Sequence, residues 1–195
     1  MSAVPKIRLI QGIGIYDSDE PTHIINDVTG KRVPSPYYQR WCSMLQRAYS
    51  ESYHKQRPSY IDVTVCKQWH YFSNFKKWMQ SQEWEGLALD KDLILPGNKK
   101  YSPKRCVFVS RELNNLLTYN RSEVPGVNFS VGTGRYRAQI REQGRKIYLG
   151  EYDTPEDASK AYVTAKVKML KEVRATQTDK RIRKGLKRHI KLLAK

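Results

Sequence analysis

The chain of 195 residues carries 36 Lys and Arg against 19 Asp and Glu, a formal net charge of +17; its length excludes large catalytic scaffolds such as an α/β barrel. Its 39% hydrophobic and 11% aromatic content excludes a wholly disordered basic protein, and the absence of any run of roughly 18 apolar residues excludes a membrane-spanning helix. The start, MSAVPKIRLIQGIG, lacks the apolar core and cleavage site of a secretory signal, and Cys42, Cys66 and Cys106 have no Cys-x-x-Cys spacing, so the expectation is a soluble intracellular protein with no membrane partner that binds a polyanion.

Residues 1–34 form an extension rich in turn formers, with GIGIY at 12–16 as the only strand-like island. Gly14-Ile15-Tyr16 matches the first triplet of GIY-YIG nucleases, but the second triplet should follow shortly and Tyr148-Leu149-Gly150 is too distant, so the match is discarded. From Ser35-Pro36, a cap and a first-turn proline, apolar residues at 37, 41, 44, 45 and 48 predict an amphipathic helix. A loop containing Pro58 precedes alternating Ile61, Val63 and Val65, read as a short strand. Tyr71, Phe72, Phe75, Trp78 and Met79 then share one helical face, which reads as an aromatic core. Cys66 and His70 are four apart, but a structural zinc site needs four ligands.

Residues 87–121 read as strand, polar loop, strand and helix. Leu87 to Leu93 is an apolar run interrupted by Asp90, Lys91 and Asp92; Cys106 to Val109 is the second strand, and Ser110 caps a helix with Leu113, Leu116 and Leu117 on one face. This ββα order suits a one-metal nuclease, in which a carboxylate holds a divalent ion on the scissile phosphate and a base activates water.

On the Asp90-Lys91-Asp92 strand, the Gly97-Asn98 loop and YSPKRCVFV at 101–109, the segment resembles the HNH endonucleases of phages and bacteria. That family often has Tyr-x-Pro-x-Asn-Cys before its second strand. The resemblance extends through RWCSMLQRAY and VTVCKQW and covers much of 36–121. It implies that Asp90 or Asp92 holds a divalent metal, Mg2+ or Mn2+, that Lys91 stands in the base position, and that Asn114 or Asn115 completes the site. Two positions depart from the pattern: Lys91 replaces the usual base histidine and Arg105 the loop asparagine. A lysine serves as a base near neutrality only with a strongly depressed pKa. Of His23, His54, His70 and His189, none lies in this segment, and His70 is the best placed in sequence to supply a base from elsewhere.

Residues 125–173 read as three strands, GVNFSV, GRYRAQIR and RKIYLGEYD, and a helix begun by Thr154, Pro155 and acidic residues. Ala158, Ala161, Tyr162, Ala165 and Met169 predict a narrow helix face. Strand alternation sends Tyr136, Ala138 and Ile140 one way and Arg135, Arg137, Gln139 and Arg141 the other. Such a sheet can enter a DNA major groove, where Arg reads guanine and Gln adenine. Through Gly126-Val127, GRYRAQIR, YLGEYDTPEDASKAY and the alanine-spaced helix, the module resembles Apetala or ethylene-response-factor-like DNA-binding domains in the form attached to HNH proteins. The resemblance places DNA contacts on Asn128, Tyr136, Arg137, Gln139, Arg141 and Tyr148, with Arg135 and Lys146 completing the set. Asn128 replaces an arginine common in the plant domains, so their recognition sequence does not carry over.

The last 22 residues hold +8 of the charge, against +3 in 126–173 and +6 elsewhere. Ile182, Leu186, Ile190 and Leu193 form one apolar stripe on this basic segment, predicting a helix that docks or forms on nucleic acid; calmodulin-target and membrane-surface helices share that pattern. The expected fold is α+β: an N-terminal extension (1–34), an HNH-like domain with a ββα unit (35–121), a linker near Asn120–Pro125, a three-stranded antiparallel sheet on one helix (125–173), and a basic helical tail (174–195). The resemblances imply a homing-type, metal-dependent endonuclease on duplex DNA, phage-encoded and acting in the host cytoplasm, with no small-molecule cofactor beyond the metal. A catalytically inactive DNA-binding regulator with a nuclease-like fold and an RNA-associated basic protein remain the alternatives.

Overall fold

A computed structural model describes residues 9–118, 124 and 126–194 of the chain; apart from Val124, the linker expected near Asn120–Pro125 lies outside the described residues. Helices and small sheets alternate in an α+β arrangement. Two compact units result, one from the residues up to Glu85 together with Gly97–Phe108, the other from Gly86–Pro96 together with the chain from Val109 onward. The division thus runs through the segment read as strand, loop, strand and helix.

In the first unit β1 (His23–Ile25) and β2 (Arg32–Pro34) form an antiparallel hairpin. Asn26 builds its turn, its Oδ1 accepting from the Val28 and Thr29 amides and the Thr29 hydroxyl. The sequence reading missed this hairpin because strands of three residues are too short to show an alternating pattern. GIGIY, by contrast, makes only isolated bridges, Ile10 to Gly14 and Ile15 to Tyr71. A Cβ on Gly14 would come within 2.4 Å of Leu45 and 3.0 Å of Trp41, so glycine there allows the segment to lie against the first helix.

That helix, α1 (Pro36–Tyr49), buries Trp41, Met44, Leu45 and Ala48 as their spacing predicts. Ser35 makes no side-chain cap bond, so of the two expected start signals only Pro36 acts. α2 (Glu51–Gln56) follows, capped by Ser50. The strand expected over 61–65 shrinks to β3 (Thr64–Val65), because Asp62 takes a left-handed φ of +68° and Ile61 is left exposed. α3 (Phe72–Gln80) buries Phe72, Phe75 and Met79, while Tyr71 sits at its N-cap and is exposed.

The chain next contributes β4 (Ala88–Asp90) to the second unit and returns with β5 (Lys100–Tyr101), parallel to β3. Trp41, Trp69, Phe72, Phe75, Met79 and Tyr101 are all at most 2% exposed, each contributing roughly 1.5–3 kcal/mol by burial. The Trp41 indole donates to the Trp69 carbonyl at 2.8 Å, so the N–H of this fully buried ring is paired.

The buried strand β6 (Val107–Val109) carries the chain into the second unit. There α4 (Arg111–Leu117) starts at Ser110, whose hydroxyl accepts from the Leu113 amide as predicted. β7 (Val127–Ser130), β8 (Arg135–Glu142) and β9 (Arg145–Tyr152) form an antiparallel sheet in that order. Gln143 and Gly144 join the last two through φ values of +47° and +78°, the two-residue turn that matches strand twist. A bulge at Leu149 shifts the register, pairing Ala138 with Gly150 and Gln139 with Tyr148.

α5 (Pro155–Thr176) packs on the sheet and is capped by Thr154, and α6 (Lys180–Leu193) packs on α5 and is capped by Asp179. On α5 only Ala158 of the five predicted face residues is fully buried, and Lys166 and Leu170 complete the face. On α6 the buried stripe is Ile182, Gly185, Leu186 and His189, rotated from the predicted one so that Ile190 and Leu193 lie at its margin.

Candidate functional site

Asp90 ends β4, and its Oδ1 accepts from the amides of Asp92 at 2.9 Å and Leu93 at 2.6 Å. The carboxylate therefore folds the chain into a tight turn around itself. Burial raises the Asp90 pKa, the Leu93 amide opposes that rise, and the Asp92 charge reinforces it. Lys91 is buried, 7% exposed, and its ammonium donates to Asp92 Oδ2 at 2.6 Å. The lysine expected to stand in the base position is thus held by the neighbouring carboxylate. Asn114, half-buried, and Asn115, exposed, lie on α4, which packs against β4 within the same unit.

Three main-chain carbonyls in a row beyond this turn are met by α6. His189 Nε2 lies 3.2 Å from the Asp92 oxygen, and Arg188 Nη1 donates to the Ile94 oxygen. Between them Gly185 lies so close to Leu93 that a Cβ would stand 2.3 Å from its carbonyl oxygen. The imidazole is 2% exposed; burial holds its pKa down, and the carbonyls of Asp92 and Leu93 oppose that shift. Lys166 of α5, also 2% exposed, donates to the Thr118 carbonyl at the end of α4 and to the Tyr162 hydroxyl, both at 3.3 Å. Sequence reasoning missed His189, Gly185, Arg188 and Lys166. The available signal was the placement of Gly185 and His189 three and seven residues after Ile182, on the same face of the predicted tail helix.

The other expected participants belong to the first unit. His70 Nε2 is 3.3 Å from the Tyr49 hydroxyl and 3.1 Å from the Val65 carbonyl, in a network that also takes the Val65 amide. Arg105, read from the sequence as replacing a loop asparagine, donates to Asn98 Oδ1 at 2.9 Å. Among the described residues, no three of His, Cys, Asp or Glu gather as a ready-made metal cage.

The sheet has two unlike faces. Tyr136, Ala138 and Ile140 share a side, the last two buried, and the Tyr136 ring lies 5.2 Å from that of its cross-strand partner Phe129. On the other side register and alternation bring together Asn128, Arg135, Arg137, Gln139, Arg141, Lys146 and Tyr148. Seven of the eight predicted contact residues share the open face, and Tyr136 is on the opposite one. Arg137 donates to Glu151 at 2.8 Å and lies 6.0 Å from the exposed Tyr148 ring; the Arg137 hydrogen bond holds the Glu151 pKa down. Arg135 pairs with Asp153 at 2.9 Å. Arg141 and Lys146 are directly opposite, a like-charge pair that destabilises a free sheet.

No family model, curated protein or solved structure matches the chain.

Proposed function

We propose that the chain is a DNA-binding, metal-dependent endonuclease of the HNH type, homing in character, that cuts or nicks duplex DNA. The observation that carries the reading is that one compact unit holds both the Asp90-Lys91-Asp92 turn and a sheet face of clustered cations. Phosphate placed near Arg141 and Lys146 would relieve their mutual repulsion, and Arg137 and Gln139 would present donors to base edges. Lys184, Lys187 and Lys191 on α6 are exposed and add sequence-independent attraction.

The turn suits a hard divalent ion. Asp90 commits one oxygen to amides and Asp92 one to Lys91, leaving one oxygen from each for an ion. Mg2+ is commonly held by one or two carboxylates, with substrate phosphate and water filling the remaining positions. Asp90 and Asp92 would hold it, and when bound it would neutralise charge on the scissile phosphate. Asp90 orients its carboxylate through the two amides, Lys91 holds Asp92, and Asn114 and Asn115 offer amide groups from α4 to the backbone of the nucleic acid.

Supercoiled plasmid incubated with Mg2+ or Mn2+, with and without chelator, tests the reading. Asp90→Asn keeps an oxygen for the two amides, so the variant should fold and bind DNA while losing chelator-sensitive relaxation. Binding without cleavage by the wild-type chain, with either metal, would overturn it. One observation favours a second reading, a DNA-binding regulator without catalysis: the buried Lys91 occupies the base position and is paired with Asp92.

A further inference from the structure

We infer that α6 is the positioning element of the Asp90–Asp92 turn, with His189 and Arg188 as positioning residues that hold the carbonyls beyond it; the inference rests on reading that turn as the metal site. β4 ends at Asp90, and the following residues form bends and turns as far as Gly97, so the segment lies outside any regular strand or helix.

The support arrives from nearly 100 residues away in sequence. α6 contacts successive carbonyls of Asp92, Leu93 and Ile94 through His189, Gly185 and Arg188, which sit on adjacent turns of one helix. Hydrogen bonds at the Asp92 and Ile94 carbonyls, with Gly185 closing on the Leu93 carbonyl between them, leave this backbone little freedom to tilt, so the amides of Asp92 and Leu93 stay aimed at Asp90 Oδ1. The placement of that carboxylate then depends on α6 being docked. The same helix presents Lys184, Lys187 and Lys191 outward. The binding of DNA phosphate on one face of α6 and the order of the turn on its other face are therefore linked through one rigid element.

Deuterium exchange of the full-length protein, followed by NMR without metal or DNA, reads the turn directly at the amides of Asp92 and Leu93. Arg188→Ala changes an exposed side chain and should leave the fold intact while speeding exchange at these two amides about tenfold, the scale of one charge-assisted hydrogen bond. His189→Ala should have a larger effect, and His189→Gln, which retains an N–H donor, should recover most of it. Amides of β8 and α5 should keep their wild-type protection in Arg188→Ala. Unchanged exchange at Asp92 and Leu93 in Arg188→Ala, or equal acceleration throughout the sheet and α5, would overturn the positioning role. A plasmid assay on the same proteins separates the two readings. Cleavage lost in Arg188→Ala with turn exchange unchanged overturns positioning alone. Faster turn exchange in a chain whose wild type never cleaves leaves the support role standing and overturns the nuclease reading.

Discussion

The two units organise their interiors in opposite ways. The first closes around Trp41, Trp69, Phe72 and Phe75, rings with few polar atoms, of which the Trp41 indole N–H is met by the Trp69 carbonyl. The second closes around aliphatic side chains, among them Leu93, Leu113, Ile140, Leu170 and Leu186, and it buries Lys91, Lys166 and His189 beside them. Apolar packing is non-directional and tolerates repacking of similar volumes. Buried cations and imidazoles must instead be met by particular oxygens, so the interior of the second unit is stable only when several distant residues are correctly placed. That requirement lies beside the candidate site, where positional accuracy matters most.

The largest expected effect is in the aromatic core. Trp41→Ala should lower stability by about 4 kcal/mol, seen as a fall in the urea midpoint followed by the fluorescence of the remaining tryptophans, all of which lie in the first unit. A loss under about 1 kcal/mol would mean that this core repacks freely. In the second unit, Gly185→Ala should cost about 3 kcal/mol despite alanine's better helix propensity, because the new methyl meets the Leu93 carbonyl. Far-ultraviolet circular dichroism during urea unfolding measures this, and a stabilised variant would show that α6 does not depend on that close approach.

The two cationic surfaces should separate next. Arg137→Ala should weaken binding to a preferred duplex by about 1.5 kcal/mol and relax sequence preference. The Lys187→Ala, Lys191→Ala pair should weaken binding to all duplexes alike and reduce the salt slope by about 2. Titrations at several salt concentrations check both, and the same salt response in both variants would remove the distinction between the sheet and α6.

The smallest effect is on pH dependence. Burial holds the Lys166 ammonium below the ordinary lysine range, so the folded chain binds this proton more weakly than the unfolded chain. Its destabilising contribution is fully present below the lowered value and fades as pH rises from there into the ordinary range. Stability should climb across that alkaline window, and Lys166→Met should flatten the climb. Urea midpoints measured at a series of alkaline pH values test it, and identical profiles would place the linkage on another group.

Local signals in the sequence determined much of the secondary structure. Pro36, Ser110 and Thr154 start helices where capping rules place them, Gln143-Gly144 turns a hairpin, and alternation along 135–141 separates the arginines from Ala138 and Ile140. These signals work because a cap, a turn or a strand parity involves residues only a few positions apart. Asp90, Lys91 and Asp92 were legible as a cluster for the same reason. The tertiary structure decided the rest: the parallel pairing of β3 with β5, the rotation of the α6 stripe, the burial of Lys166, and the meeting of His189 with Asp92. Each brings together groups far apart along the chain, and helical periodicity identifies an apolar face without specifying which carbonyls it will meet. On α6 a glycine that weakens the helix locally proved to be the residue that lets it dock, because the Leu93 carbonyl it meets comes into place only after folding.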